Sequence, residues 1–364
     1  MIKAKIAEQE PYFMFSRRVR NLVPYIAGEQ PRDQKYIKLN TNENPFPPAQ
    51  AVLESLKNYD YTRLQLYPDP EFTALREKMG EIYNLHPENI FICNGSDEGL
   101  SFCFYAFFDR DLGNVLFPQF TYSFYPVYCD FYELEYKKIP LSADFSIDVN
   151  KYLEEKSSTG IIFPNPNAPT GIFLSTDKIA YLLENYASDR VVIIDEAYID
   201  FGGESVLPLL ARFKNLVIVR TFSKAFSLAG LRLGYIFADA ELIATLFRVK
   251  DAFNSYPVNR LTQELACAAL SDVDAFRQNN REIIRIRESF SSRLTALGWE
   301  VLPSQANFVF ARKPGMPGSE VYSRLKEKGI LVRNFRTAGI EDFLRISIGR
   351  QEDMEKLVET AATL

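Results

Sequence analysis

Between residues 50 and 250 the chain alternates short apolar runs with segments whose apolar residues recur at helical spacing. The runs Ile90-Phe-Ile-Cys93, Asn114-Val-Leu-Phe117, Gly160-Ile-Ile-Phe163, Val191-Val-Ile-Ile-Asp195, Leu216-Val-Ile-Val219 and Tyr235-Ile-Phe-Ala238 have strand length. Near-continuous hydrophobicity over four or five residues predicts strands covered on both faces, as in a parallel sheet. Glu133–Ile139 is a further candidate strand. The helices predicted between them are Ala51–Leu56, Glu71–Tyr83, a segment from the Asn94-Gly-Ser-Asp-Glu98 turn through Phe108, Pro118–Phe131, Asp148–Glu155 and a segment capped by Ser175 that runs to about Tyr186. In the second of these, Phe72, Leu75, Met79 and Ile82 mark one face. Strands alternating with helices predict an α/β fold, with a mostly parallel central sheet flanked by helices.

The pattern changes on both sides of this block. Residues 1–35 lack periodicity and carry Arg17, Arg18 and Arg20 ahead of Val23-Pro-Tyr25 and Gly28, which reads as an extended arm. Leu39-Asn-Thr-Asn-Glu-Asn-Pro-Phe-Pro-Pro48 reads as a polar turn cluster. Residues 258–297 predict two long helices. After them come strand-like Asn307–Ala311, a helix near Ser319–Lys328, strand-like Ile330–Arg333 and Phe343–Ile348, and a closing helix. A chain of 364 residues is long for one core. We therefore expect a large domain over 49–255 and a smaller α+β domain over 256–364, with the arm, 1–48, joined to the smaller one.

The net charge of -5 argues against nucleic acid or an anionic membrane as partner. No apolar run approaches membrane-spanning length, and the N-terminus lacks an apolar signal core. Cys93, Cys103, Cys129 and Cys267 show no metal-binding or redox spacing, so reduced thiols in a cytoplasmic protein are expected. The single histidine, His86, precedes Pro87 in a turn, which excludes histidine-based triads and histidine-rich zinc sites. No metal is expected. Neither a dinucleotide-binding glycine fingerprint nor a P-loop occurs.

Chemistry gathers at the ends of the predicted strands. Leu216–Val219 delivers Lys224 to the carboxyl edge of the sheet, where open α/β folds bind ligands. Thr221, Ser223, Ser227 and Arg232 flank it and suit a phosphate. The turn after Ile90–Cys93 points helix N–H groups at one spot, a phosphate cradle at Ser96 and Asp97. The same pattern also describes a capped helix, with Ser96 or Asp97 as the cap. Asp195 ends a buried strand, where a carboxylate needs a partner such as a pyridinium N–H. Tyr198 follows in the same turn, and Tyr122 offers an aromatic face for stacking.

Asn94-Gly-Ser-Asp-Glu98, Pro166-Asn-Ala-Pro-Thr-Gly171, Asp195-Glu-Ala-Tyr198 and Thr221-Phe-Ser-Lys224 followed by Leu231-Arg-Leu-Gly234 occur in that order. Together they resemble the class I/II aminotransferases of pyridoxal-phosphate fold type I. Val19–Tyr25, Leu39–Pro45 and Tyr67-Pro-Asp69 narrow the resemblance to the histidinol-phosphate branch of that family. It implies that Lys224 holds pyridoxal 5'-phosphate as an imine. Asp195 would pair with the ring nitrogen, Tyr198 would bond the ring oxygen, and Tyr122 would stack on the ring. Ser96, Asp97, Thr221, Ser223 and Arg232 would hold the phosphate, joined in a homodimer by Tyr67 from the other subunit. Arg333, Arg345 and Asn44 would bind substrate. Many relatives have Asn directly before Pro-Thr-Gly, where this chain has Ala168; Asn167 is the nearest replacement as a donor to the ring oxygen. The implied activity moves an amino group between a small amino acid and a phosphorylated amine or ketone. An aromatic-amino-acid aminotransferase, a threonine-phosphate decarboxylase and, in another class, a cofactor-sensing regulator remain the alternatives.

Overall fold

The computed structural model describes residue 14 and residues 16–20, 22–26 and 28–364. A four-residue helix α1 (Arg17–Arg20) and a two-residue strand β1 (Ile37–Lys38) precede α2 (Gln50–Lys57) and α3 (Thr73–Tyr83). There follow β2 (Ile90–Cys93), α4 (Ser96–Phe107), β3 (Asn114–Pro118), α5 (Phe124–Tyr132), β4 (Tyr136–Ile139), α6 (Val149–Leu153), β5 (Ser158–Pro164), α7 (Thr176–Asn185), β6 (Val191–Asp195), β7 (Leu216–Thr221), β8 (Gly234–Ala238) and α8 (Ala240–Phe253). The remainder comprises α9 (Arg260–Leu270), α10 (Val273–Ala296), β9 (Glu300–Val301), β10 (Phe308–Arg312), α11 (Gly318–Glu327), β11 (Ile330–Leu331), β12 (Arg333–Asn334), β13 (Leu344–Ser347) and α12 (Gln351–Ala361).

Seven strands form the central sheet in the order β2-β8-β7-β6-β5-β3-β4. β8 is antiparallel to both its neighbours, and the other pairs are parallel. Every residue of β2, β5, β7 and β8 is buried, and one hydrophobic cluster packs on each face of the sheet. Because β2 and β7 both oppose β8, they run the same way as β6. The carboxyl ends of β2, β6 and β7 therefore meet at one edge of the sheet. β8 begins at that edge, with Gly234 opposite Thr221 and opposite Cys93. A Cβ on Gly234 would run into the backbone of Gly95 and Ser96, so only glycine lets the start of α4 lie this close to the edge.

Several predicted elements differ from the observed ones, β4 among them, which begins at Tyr136 rather than Glu133. α3 begins two residues late because Asp69 Oδ1 and Oδ2 accept the backbone N–H groups of Glu71 (2.9 Å) and Thr73 (2.7 Å), with Phe72 left-handed. α5 begins at Phe124 rather than Pro118, so Tyr122 lies in the connection before the helix. Pro118 belongs to β3, and Pro126 sits in the first helical turn, where its missing N–H costs nothing. The run 330–333 is two strands in two sheets. β11 pairs with β1, while β12 joins the four-stranded sheet β12-β13-β10-β9. Through β1, residues 37–38 join the C-terminal part of the chain. Ser175 occupies the N-cap position of α7 but makes no side-chain cap bond.

Candidate active site

The sheet edge opens into a cavity of about 180 Å³. It brings together every residue proposed from sequence except Asn44, Asn167, Tyr67 and Ser227. A wider cleft of about 1060 Å³ adjoins it and shares Tyr25, Asn40, Tyr122, Ala168, Arg333 and Arg345 with it.

Lys224 sits three residues beyond β7, half-buried, with Nζ 3.2 Å from the Thr41 carbonyl oxygen and 5.7 Å from the centre of the Tyr198 ring. Asp195 ends β6 and is 5 % exposed. Its Oδ1 accepts from the Ala197 N–H and its Oδ2 from the Tyr125 hydroxyl, both at 3.1 Å. No cation pairs with it among the described residues. Burial pushes its carboxyl up to about 6, against the pull of these two hydrogen bonds. A buried acid in that condition gains from a cationic N–H donor.

Tyr198 is prepared to donate. Its hydroxyl oxygen accepts from Asn42 Nδ2 at 3.0 Å, which leaves the hydroxyl hydrogen for a ligand. Asn42 is itself fixed on three sides. Its N–H and Oδ1 both engage the Ser347 hydroxyl (2.8 and 2.9 Å), and its carbonyl accepts from Asn307 Nδ2 (3.0 Å).

At the cradle, Gly95 holds the N-cap position of α4 with φ 81° and no side chain caps the helix. Neither Ser96 nor Asp97 is the cap. The Glu98 carboxylate instead takes the Asn94 N–H at 2.6 Å. The first N–H groups of α4, and the positive end of its dipole, are thus left to face an anion. The twelve residues between Thr221 and Gly234 form a loop whose ends are paired across β7 and β8. Arg232 ends it in the left-handed region, φ 54°, and reaches Ser223 Oγ (3.4 Å) and Asp97 Oδ2 (3.2 Å). Tyr122 donates to Asp97 Oδ1 at 2.7 Å, which fixes the edge of its ring against the cavity.

On the opposite wall, Arg333 and Arg345 stand directly across from each other in the β12–β13 register. Like charges so placed repel, and no acid forms a salt bridge with either among the described residues. Arg345 Nη2 lies 3.3 Å from the Asn40 carbonyl, and its Nε has no partner among the described residues. Burial first, and then Arg333, hold its pKa below the ordinary arginine value. Such a pair is arranged for an anionic ligand.

These contacts correct two assignments from sequence, Asn44 and Asn167, and leave Tyr67, expected to serve a partner subunit, outside this chain's own cavity. Asn44 does not line the cavity; its Nδ2 holds the Lys224 carbonyl at 3.0 Å and its Oδ1 takes the Phe46 N–H. Asn167 gives both amide hydrogens to the Phe120 carbonyl (2.9 Å) and Thr170 Oγ1 (3.1 Å), so it has no donor for a ring oxygen, and Ala168 lines the cavity instead. Tyr67 lies away from this chain's own cavity, 78 % exposed and stacked on Tyr256 at 4.7 Å. Sequence reasoning missed Thr41, Asn42 and Tyr125. The first two lie in the polar cluster read only as a turn, and Tyr125 is one of 20 tyrosines.

The donor set fits pyridoxal 5'-phosphate. An amine, an unpaired buried acid, a hydroxyl poised to donate and a helix N-terminus with Ser223 and Arg232 face one space of suitable size. Residues 34–360 match the family "Aminotransferase class I and II". The chain belongs to the class I and II aminotransferases. Within them it is 56% identical to the histidinol-phosphate aminotransferase of Syntrophus aciditrophicus over 348 residues, 95% of this chain and 96% of the relative. It is 48% identical to that of Chromohalobacter salexigens over 345 residues, 95% and 97% of the two chains. Among solved aminotransferases, the fold resembles the Sinorhizobium meliloti histidinol-phosphate aminotransferase in complex with pyridoxal-5'-phosphate. The TM-score is 0.86 at 22% identity, covering 97% of this chain and 99% of that one.

Proposed function

We propose that this aminotransferase uses pyridoxal 5'-phosphate to move an amino group between histidinol phosphate and 2-oxoglutarate, a step of histidine biosynthesis. The observation that carries the substrate reading is the unneutralised Arg333–Arg345 pair across the cavity from Lys224. Histidinol phosphate has no α-carboxylate, so its phosphate takes the guanidinium pair that otherwise holds the carboxylate of glutamate. A planar fork binds either anion through two hydrogen bonds. The relatives at 56% and 48% identity carry the name of this reaction.

When bound, the cofactor supplies an electron-withdrawing ring that stabilises negative charge on the carbon losing its proton. Lys224 Nζ would hold it, and the same amine would serve as the base that carries the proton from the substrate α-carbon. Asp195 would pair with the ring nitrogen, Tyr198 would donate to the ring oxygen with Asn42 behind it, and Tyr122 would cover one face. The N–H groups of α4, with Ser223, Thr221 and Arg232, would hold the phosphate.

The active form is a homodimer in which Tyr67 reaches the partner's cofactor phosphate. Leu64, Leu66, Tyr67 and Phe253 are each more than half exposed, and exposed apolar surface with aromatic rings of this kind suits a subunit interface. The large unit is 49–255, which contains the whole seven-stranded sheet, and the small unit is 256–364 together with 1–48. We place the enzyme in the cytoplasm, with its substrates. No helix among the described residues is long and apolar enough to cross a membrane.

The test of the substrate is kcat/KM of the purified protein for histidinol phosphate, dephosphorylated histidinol, phenylalanine and threonine phosphate. Histidinol phosphate should lead. Preference for phenylalanine, or carbon dioxide release from threonine phosphate, would overturn the reading.

A further inference from the structure

Three tyrosines of one segment point their hydroxyls at the two acids of the site. Tyr122 donates to Asp97 Oδ1 (2.7 Å), Tyr128 to the Asp97 carbonyl (2.9 Å) and Tyr125 to Asp195 Oδ2 (3.1 Å). Tyr125 and Tyr128 are three apart on α5 and so share a helix face. Tyr125 is fully enclosed, at 0 % exposed, with its ring among Phe104, Phe117 and Tyr122. In that shell a phenylalanine would pack equally well, and a phenolic oxygen is tolerated only because it has a partner. The partner is Asp195.

Among the described residues Asp195 has two donors, one to each oxygen: the Ala197 N–H and Tyr125. Burial drives its carboxyl towards the neutral form, and the nearby carboxylates of Asp97 and Glu196 add to that drive. The hydroxyl opposes it, since a hydrogen bond to a carboxylate favours the charged form. Burial, with Asp195 adjacent, also holds the Tyr125 pKa well above that of a free phenol, so it stays a donor.

We propose that Tyr125 is a positioning residue for transamination: by donating to Asp195 Oδ2 it keeps that carboxylate charged and weakly basic, so that the ring nitrogen of the bound cofactor retains its proton. The proposal rests on the pyridoxal-phosphate reading above. Without the hydroxyl, Asp195 becomes the stronger base and draws the proton from the ring nitrogen. The ring then loses the positive charge on which its electron-withdrawing role depends.

The experiment loads the full chain with pyridoxal phosphate labelled with 15N in the ring. It records the ring-nitrogen chemical shift, together with kcat and KM for glutamate, in wild type, Tyr125→Phe and Tyr128→Phe. Tyr125→Phe should bind the cofactor, move the nitrogen signal towards that of neutral pyridine and lower kcat by roughly tenfold, the equivalent of one pK unit, with little change in KM. Tyr128→Phe loses a hydroxyl from the same helix but not from Asp195, and should leave the nitrogen signal in place. A wild-type signal in Tyr125→Phe, or an equal shift in both variants, overturns the proposal. If Tyr125→Phe does not fold, a ring-fluorinated tyrosine at position 125, a stronger donor, should move the signal the opposite way; no movement overturns the proposal. Failure of wild type to bind pyridoxal phosphate would instead refute the cofactor reading on which it rests.

Discussion

Replacing Arg345 isolates the anion site from the rest of the chemistry. Its guanidinium faces Arg333 across the β12–β13 register, has one carbonyl contact at 3.3 Å, and leaves Nε unpartnered, so its hydrogen-bonding capacity is directed at a ligand. Losing one charge-assisted fork from an enclosed anion costs on the order of 2–5 kcal/mol. At about 1.36 kcal/mol per decade, kcat/KM for histidinol phosphate should fall roughly thirtyfold to several thousandfold in Arg345→Met. Glutamate should suffer comparably, because its carboxylate uses the same pair. Dephosphorylated histidinol places no anion there and should change little. Arg345→Lys keeps the charge but loses the planar fork, and should fall between wild type and Arg345→Met. Since no acid among the described residues forms a salt bridge with this arginine, Arg345→Met should melt at or above the wild-type temperature. Steady-state kinetics on the three substrates, with a thermal melt of each variant, decides the matter. An equal loss on all three, or a large drop in Tm, would refute the reasoning.

Other outcomes follow from the same geometry. Lys224→Ala should retain pyridoxal phosphate through the α4 cradle, Asp195 and Arg232. It should lose turnover by several orders of magnitude, because nucleophile and base disappear together; absorbance of the dialysed protein and a transamination assay check both halves. In the cofactor-free protein, Asp195 titrates at about 6, above its ordinary 3.8, so the folded state binds that proton more tightly than the unfolded chain. Stability should therefore decline as pH rises from about 4 to about 6 and level off above, a contribution of up to about 3 kcal/mol. Urea unfolding across that range should show a steeper decline in wild type than in Asp195→Asn, where the raised Asp200 and Glu98 carboxyls still contribute. Sedimentation of the loaded protein at assay concentration should find a dimer, and Tyr67→Phe should weaken cofactor retention without dissociating it. A fully active monomer would contradict the assignment of Tyr67.

The central sheet was legible because most of its strands contain a near-continuous apolar run, and the site edge because Asp195, Lys224 and the Gly95 turn lie next to those strands in sequence. What stayed hidden depends on distant partners. Asn42 meets Tyr198 across 156 positions, and Tyr125 meets Asp195 across 70. Nothing local distinguishes either from its neighbours. Asn44 and Asn167 looked suited to ligand because an amide can serve the protein or a ligand equally well, and only the contacts show that the chain's own groups took both. The two-residue strand β1 is too short for any periodicity, so the tie between residues 37–38 and β11 could not be read from sequence.

The loop between β7 and β8 has a cost that its anchored ends do not remove. Ser227 and Arg232 both adopt left-handed backbone (φ 59° and 54°), which disfavours non-glycine residues by roughly 1–2 kcal/mol each. The segment offsets this with the buried side chains of Phe222, Phe226, Leu228 and Leu233 and with bonds from Ser227 N–H to the Lys224 carbonyl, Leu228 N–H to the Phe222 carbonyl and Leu231 N–H to the Leu228 carbonyl. The strain is therefore confined to Ser227 and Arg232, on the Lys224 loop. A phosphate held by Ser223 and Arg232 would add contacts at that strained point. Amide exchange across residues 222–233 should slow on adding pyridoxal phosphate, while that of β6 and β7 stays as it was.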